Sequence, residues 1–314
     1  MEPVDTGAPV VDVVTSTNRG GPFLDEAVDR VIAQTLSDWR LTLVDNGSPD
    51  PSAIGSQAAK DTRIQVHHQM DAGISGGRNA GIARGAAPYL AFLDDDDSWE
   101  PEYLERMVAA LDATPEAVGA YCSGWFQDRD GVRFGDGWLA EPATSMQMLR
   151  GDLPFPRIVA LVVRRDAGKR TGWFDTSYWI AEDHEFMARL LTAGELVAVP
   201  ERLVAYRRHQ NSTTAPGAHR AGREAAERLL TERIRAAALE GRPDITDALR
   251  ENRRRVRAKD ATQAAHDAIG GLKRRSWADV WADTKWGLRH APGAFVAGGW
   301  RVVTRRSRRP ATAD

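Results

Sequence analysis

Short apolar runs alternate with amphipathic stretches along the first hundred residues. Val10–Thr15 (VVDVVT) has the length and β-branching of a strand, and Phe23–Leu36 sets Leu24, Val28, Val31 and Ile32 on one helical face. Leu41–Val44 predicts a second strand, closed by the turn signal Asn46-Gly47-Ser48-Pro49-Asp50. Arg63–His67 is a third, weaker strand, Ser75–Arg84 a glycine-laden helix and Tyr89–Leu93 a fourth strand. Pro101 then opens a helix to about Ala113, in a first turn where its missing N–H costs nothing. Further on, Val118–Ser123, Ile158–Val163 and Leu203–Arg207 read as strands and Glu182–Leu191 as a helix. Ser123–Pro156, rich in Gly, Pro and aromatics, predicts extended loops with a hairpin at Asp128–Gly131. From Gly217 onward the pattern is helical, with breaks expected at Gly241–Pro243, Gly270-Gly271 and Pro292.

Strands alternating with helices through short turns predict an α/β domain built on a mainly parallel, Rossmann-like sheet flanked by helices. We place this domain at residues 1–214 and a helical C-terminal extension at 215–314. In such sheets ligands bind beyond the carboxyl ends of the strands. Three polar clusters fall at such ends: Thr15–Arg19, Asp45–Ser48 and Asp94–Asp97. Separated in sequence, they are expected to converge in space.

Composition narrows the class. With 314 residues, 42% hydrophobic and 27% charged, the chain is ordinary globular material. No apolar run approaches the roughly 18–20 residues of a spanning helix, and the acidic N-terminus lacks the basic start of a secretory signal. The single cysteine, Cys122, excludes an internal disulfide and fits a reducing compartment, so a cytoplasmic protein is expected. The net charge of −2 hides a split: from Arg250 to the end, 16 Lys and Arg face 6 Asp and Glu, a balance of +10 that leaves −12 for the rest. Within that basic segment Trp277, Val280, Trp281, Thr284 and Leu288 share a helical stripe beside Arg275, Lys285 and Arg289. Such a stripe suits an anionic membrane surface and a peripheral location; alternatively it docks on the α/β domain and the charges are merely solvated. No nucleic acid is expected, since the body offers an acidic site and no nucleic-acid motif.

Four adjacent carboxylates, Asp94 to Asp97, repel one another unless a cation neutralises them. Oxygen ligands in small number suit Mg²⁺ or Mn²⁺, which also bind phosphate oxygens. The plainer alternative is a solvated acidic loop favouring the N-terminus of the next helix.

In order along the chain stand Thr15-Ser16-Thr17-Asn18-Arg19, Val44-Asp45-Asn46-Gly47-Ser48, Asp71-Ala72-Gly73 with Arg78-Asn79-Ala80-Gly81, and Phe92-Leu93 before the four aspartates. Gly172-Trp173-Phe174-Asp175, Glu182-Asp183 and Tyr206-Arg207-Arg208-His209 follow. Over roughly residues 8–214 this series resembles glycosyltransferase family 2. The resemblance implies a GT-A fold and inverting, Mn²⁺- or Mg²⁺-dependent transfer from a nucleotide diphosphate sugar to a hydroxyl of a saccharide, lipid-linked or other acceptor. By the same resemblance Thr15, Thr17, Asn18, Arg19, Asp45, Asn46 and Arg78 line the nucleotide, with Asp45 accepting from the base. Asp94 and Asp95 face ribose and metal, Asp96 is the principal metal ligand, and His209 reaches metal or diphosphate. Asp183 is the base that deprotonates the acceptor, and Glu182 orients or binds it. Taken alone, Glu182-Asp183 would read as acids at a helix start.

Two positions depart from the family pattern. Thr15 replaces its proline, and Thr17 stands where an aromatic often stacks on the base, so the nucleotide is left open. Trp138, between Gly137 and Leu139, is a candidate acceptor contact, while Trp173 fits the core. A nucleotidyltransferase would need a better glycine-rich phosphate loop than Thr15–Gly21. A catalytically idle nucleotide-sugar-binding protein that anchors a partner would not need Glu182-Asp183.

Overall fold

The computed structural model describes residues 9–209, 219–273 and 276–307, which divide into two compact units, 9–148 with 153–209 and 149–152 with 219–307. The expected boundary at 214/215 lies outside the described residues. The first unit runs β1 (Val11–Thr17), α1 (Pro22–Ile32), β2 (Trp39–Asn46), α2 (Pro51–Gly55), β3 (Ile64–Gln69), α3 (Gly73–Ile82), β4 (Tyr89–Phe92), β5 (Ser98–Trp99) and α4 (Tyr103–Ala113). It continues with β6 (Gly119–Gln127), β7 (Arg133–Trp138), α5 (Ser145–Arg150), whose last residues belong to the second unit, β8 (Leu161–Arg164), α6 (Arg165–Thr171), α7 (Glu182–Leu190) and β9 (Leu196–Arg207).

These strands form one sheet in the order β3-β2-β1-β4-β8-β6-β9-β5, with β7 paired to β6. The half formed by β3, β2, β1 and β4 is parallel. Beyond it the sheet is mixed: β8 lies antiparallel between β4 and β6, while β9 runs parallel to β6. Helices cover both faces of the parallel half, so its strands are apolar almost throughout rather than alternating. Val11, Val13, Leu41 and Leu43 are fully buried, and Leu24, Val28 and Val31 of α1 pack into the same core.

The exception within β1 is Asp12, buried and fully paired. It accepts from Arg40 at 2.8 Å, Arg165 at 2.5 Å and the Ala87 N–H at 2.8 Å. The glycines of α3 also have a visible cause. A Cβ at Gly77 would fall 1.9 Å from Ser16 Oγ, and one at Gly81 would fall 2.4 Å from Val14 Cγ1. Bare backbone lets α3 lie directly on β1, which is how its next residue, Arg78, comes to face the strand ends.

The stretch 123–156 is more regular than its composition suggests. The turn at 128–131 joins β6 to β7, and β9 begins at Leu196, seven residues before the predicted strand. β7 (RFGDGW) has poor strand propensity and owes its form to pairing with β6, which no local pattern announces.

The second unit holds α8 (His219–Leu239), α9 (Pro243–Lys273), α10 (Trp277–His290) and α11 (Pro292–Ser307). The breaks at Gly241–Pro243 and Pro292 occur as expected, whereas α9 continues through Gly270-Gly271. A glycine pair lowers helix propensity by about 1 kcal/mol per residue, which packing of the 31-residue helix can override. Trp286 of α10 packs against Ala261 and Ala264 of α9, and buried Arg223 pairs with Asp267 and Asp283.

A Cβ at Gly81 must push Val14 out of a filled core, so Gly81→Ala should destabilise by about 1–3 kcal/mol despite the better helix former. Gly222 of α8 has open space around it, and Gly222→Ala should be neutral or stabilise by up to about 1 kcal/mol. Thermal unfolding of both variants checks this; equal midpoints would mean that β1 yields freely under α3.

Candidate active site

The parallel register sets Thr17, at the end of β1, beside Asp45 at the end of β2. The chain leaving β4 passes along β1, with the Leu93 N–H donating to Val14 O at 3.1 Å, and delivers the aspartates to the same edge. Thr17 Oγ1 donates to Asp95 at 2.5 Å, and the Arg19 guanidinium donates to Asp95 at 2.7 Å and to Asp96 at 2.9 Å. His209 Nε2 lies 2.8 Å from Asp96 Oδ2, its ring stacked on Phe23 with centroids 5.4 Å apart. Ser16, Arg19, Ile74, Asp94, Asp95, Asp96, Tyr206 and Arg207 enclose a cavity of about 100 Å³.

On the opposite side Arg78, 3% exposed, reaches from α3 to Asp94 at 2.7 Å and to Glu182 at 2.8 Å. Burial disfavours its charge, but Asp94 and Glu182 outweigh that and raise its pKa. One guanidinium thus joins the end of β4 to the start of α7. Glu182 is pushed above the usual carboxylate range by burial, which Arg78 only partly offsets and to which the Asp183 charge adds. For Asp183, burial likewise opposes ionisation, but His184, Arg78 and the His184 backbone N–H, donating at 2.8 Å, hold the carboxyl below its usual range. The residue before the pair, Ala181, has φ 63°, alone among the described non-glycine residues in that region.

Carboxylates within the cluster are distinct. Burial raises the Asp95 pKa against the opposing bonds from Arg19 and Thr17. Asp97 is driven well above its usual range by burial and by the charges of Asp94 and Asp96; its Oδ1 accepts the Arg207 N–H at 2.7 Å and its Oδ2 has no partner. Arg207 also donates from Nε to Asp96 O at 2.9 Å and pairs with Glu26 at 2.6 Å, clamping the loop to α1. Among the described residues no three His, Cys, Asp or Glu side chains already form a metal cage. The donor chemistry nevertheless fits a hard divalent cation: Asp94 and Asp96 are partly exposed at the cavity, and an imidazole adjoins.

Of the residues singled out in the sequence, Thr17, Arg19, Arg78, Asp94, Asp95, Asp96, Glu182 and His209 meet in this cluster, with Asp183 beside it. Asp45 lies at the neighbouring strand end, accepting the Ser48 N–H at 2.8 Å and contacting His68 Nδ1 at 2.8 Å. Asn46 ties that end to the approach of α3 through Gly73 O and the Ala72 N–H. Thr15 is buried inside β1 opposite Leu43, short of the edge, and Asn18 points to solvent. Sequence reasoning placed Ser16 and Asp97 in their clusters without giving either a role of its own, and did not single out Glu26 or the clamp made by Arg207. Arg207 sits in the Tyr206–His209 motif, but no signal in the chain announces its pairing with Glu26, 181 residues away.

The glycosyl transferase family 2 model matches residues 13–167. Residues 13–167 form a glycosyltransferase family 2 domain. Among similar family members is an uncharacterized glycosyltransferase, EpsJ of Bacillus subtilis, 29% identical over 219 residues covering 66% of this chain and 63% of EpsJ. The chain thus spans somewhat under two thirds of that relative. An uncharacterized glycosyltransferase of Haemophilus influenzae is 25% identical over 72% of this chain and 73% of its own length. Solved structures agree on the fold. TarS 1–349 of S. aureus in complex with UDP-GlcNAc superposes with a TM-score of 0.60 at 13% identity, over 89% of this chain and 91% of that one. The mannosyltransferase PcManGT of Pyrobaculum calidifontis, in complex with GDP-Man and Mn²⁺, gives 0.57 at 16% identity, over 96% and 81%. The sheet and its helices are a GT-A fold.

Removing one partner of a buried ion pair strands the other charge, at about 3–5 kcal/mol. Arg78→Ala should therefore lower the unfolding midpoint by about 10 °C, whereas Arg170→Ala, which breaks an exposed pair with Asp166, should move it by less than about 2 °C. Differential scanning calorimetry decides, and similar small shifts would show that Arg78 is dispensable to the fold.

Proposed function

We propose that this protein is an inverting glycosyltransferase that moves a sugar, of hexosyl or rhamnosyl type, from a nucleotide diphosphate donor to an acceptor hydroxyl. The observation that carries this reading is the Arg78 bridge, which ties Glu182, the chain neighbour of Asp183, to Asp94 of the aspartate-lined cavity. The donor lies across the ends of β1, β2 and β4, its base toward Asp45 and its diphosphate toward Arg19, Asp94 and Asp95. Asp94, Asp96 and His209 would hold the Mn²⁺ or Mg²⁺, whose charge, when bound, favours departure of the diphosphate.

The chain's own groups do the rest. The acceptor oxygen forms its bond to the anomeric carbon as the bond to the diphosphate oxygen breaks, and the hydroxyl proton passes to Asp183. Arg19, 40% exposed at its side chain, is free to turn from the carboxylates toward the diphosphate, which the cavity is otherwise too small to admit. Glu182, spent on Arg78, orients rather than abstracts. The donors named with the solved relatives, UDP-GlcNAc and GDP-Man, differ in both base and sugar, so they support a nucleotide sugar without selecting one.

A peripheral membrane location fits the second unit. No described helix is long and apolar enough to cross a membrane. Yet Trp277 (72% exposed), Trp281, Leu288, Val296 and Trp300 stand in solvent, with Lys285 and Arg289 exposed nearby. Tryptophans beside basic residues on a helix surface suit the headgroup layer of an anionic bilayer, where a lipid-linked acceptor would be at hand.

Asp183→Asn should cut transfer by about 10²–10⁴-fold while leaving donor binding, read by thermal shift, within a few-fold. Because the carboxyl is held low and works only when ionised, wild-type rate should be lost as pH falls below the ordinary aspartate value of about 4, not nearer neutrality. A panel of UDP-, GDP- and dTDP-sugars with Mn²⁺, Mg²⁺ or chelator supplies the assay; turnover by the asparagine variant within ten-fold of wild type removes Asp183 from the role. For the membrane surface, the intact chain should float with phosphatidylglycerol vesicles and not with phosphatidylcholine. Replacing Trp277 and Trp281 by serine should abolish flotation, and unchanged flotation would refute that surface.

A further inference from the structure

Beside Asp183 the structure places an arginine whose charge is not spent. Arg157 follows the loop that carries Phe155, and the Phe155 ring packs 5.8 Å from that of His184, the neighbour of Asp183. The guanidinium of Arg157 lies within an aromatic box: its carbon is 4.6 Å from the Tyr206 ring centroid, 5.1 Å from Trp138 and 5.3 Å from Phe126. Tyr206 also lines the donor cavity, so the box and the cavity share a wall. Arg208 stands over the same Phe126 ring at 4.1 Å.

Stacking engages the face of a guanidinium and leaves its five N–H donors, which lie in the plane of the group, for other partners. Elsewhere in this unit the buried arginines use those donors: Arg78 on two carboxylates, Arg165 on Asp12, Arg207 on Glu26 and three backbone oxygens. Among the described residues the side chains of Arg157 and Arg208 make no hydrogen bond and no ion pair, the Arg157 carbonyl alone accepting from the Ala160 N–H at 3.0 Å. Burial lowers the Arg157 pKa and Arg208 lowers it further, against the opposing effects of Tyr206, Asp97 and Asp183, and the guanidinium stays protonated. Half-buried and lacking a carboxylate partner, this cation is arranged to receive one from outside.

We infer that Arg157, backed by Phe126, Trp138 and Tyr206 and assisted by Arg208, forms an acceptor subsite for an oxyanion, a phosphate or carboxylate carried by the saccharide that presents its hydroxyl to Asp183. The assignment rests on the transferase reading for the word acceptor, but the anion site itself is a matter of binding and is measurable without turnover. A planar cation held among mutually tilted aromatic rings, with its N–H edge uncommitted, suits an oxyanion carried on a sugar.

The test is equilibrium titration calorimetry on the full chain with methyl glucoside 6-phosphate, methyl glucuronide, uncharged methyl glucoside and inorganic phosphate. The expected result is that at least one anionic glycoside binds about 10–100-fold more tightly than the neutral one. That preference should vanish in Arg157→Gln, be only partly restored in Arg157→Lys, which keeps the charge without the plane, and weaken with added salt. Equal binding of charged and neutral glycosides, or a preference that survives in a folded Arg157→Gln, would overturn the site. Inorganic phosphate binding as tightly as the sugar phosphate would overturn its assignment to an acceptor. The two readings fail separately: anion binding through Arg157 with no donor turnover would fell the transferase and spare the site. Asp183-dependent nucleotide release without anion preference would do the reverse.

Discussion

The organisation of the active site depends on one buried cation. Arg78 rises from a helix pressed so closely on β1 that only glycine is accommodated at Gly77 and Gly81, and it spans Asp94 and Glu182, residues 88 positions apart in the chain. Neither Arg78 nor Glu182 could be so enclosed alone, since an unpaired buried charge costs several kcal/mol. Together with the guanidinium they form a rigid strut between the edge where a donor would sit and the helix that bears Asp183. The cost of desolvating three charges is tolerable only because each meets an opposite partner at hydrogen-bond distance. Moving any one of the three would loosen the other two.

A second constraint works on the aspartate loop. Four acids in a row cannot all be ionised in a partly buried turn, and the fold deals with each differently. Asp94 goes to Arg78, Asp95 to Thr17 and Arg19, and Asp96 to Arg19 and His209. Asp97 is driven toward neutrality inside the protein, where one oxygen anchors the Arg207 backbone. The fourth acid is therefore structural and the first three face the cavity. The groups that meet them are of unequal permanence: Arg78, Arg207 and His209 are enclosed, whereas Arg19 is substantially exposed. Ligand entry would exchange Arg19 and leave the enclosed partners in place.

How much of this could be read beforehand follows from the range of the interactions. The parallel strands and the convergence of Thr17, Arg19 and Asp94–Asp96 were legible because strand ends in a βα sheet share one edge and the motifs sit at those ends. Asp45 kept its place at that edge but is occupied by His68, a residue of the weak third strand that carried no sign of its role. Thr15 and Asn18 lay inside the same motif, yet one strand position either way separates the sheet interior and open solvent from the cluster. The mixed half of the sheet was less visible, because β7 and the start of β9 take their form from pairing partners and not from their own residues. The Glu26–Arg207 and Asp12–Arg165 pairs join distant segments, for which one sequence holds no periodic signal.

The two acids at the start of α7 show how local strain and long-range charge divide one dipeptide into two roles. Ala181 adopts a left-handed conformation that costs an alanine about 1–2 kcal/mol and that glycine would adopt freely. Its effect is to turn the chain sharply into the helix, so that Glu182 faces inward to Arg78 while Asp183 is left at the margin, half-buried. Glu182, although burial raises its pKa, has an oxygen committed to the strut. Asp183 has one oxygen on the His184 N–H and is held ionised by the surrounding positive charge. A carboxylate kept low is a weak base, and it is suited to a reaction in which the hydroxyl becomes acidic only as its bond to carbon forms. In the transfer proposed above the proton would move late, to a group already ionised and already in place, and the strain at Ala181 would be the local expense of keeping it there.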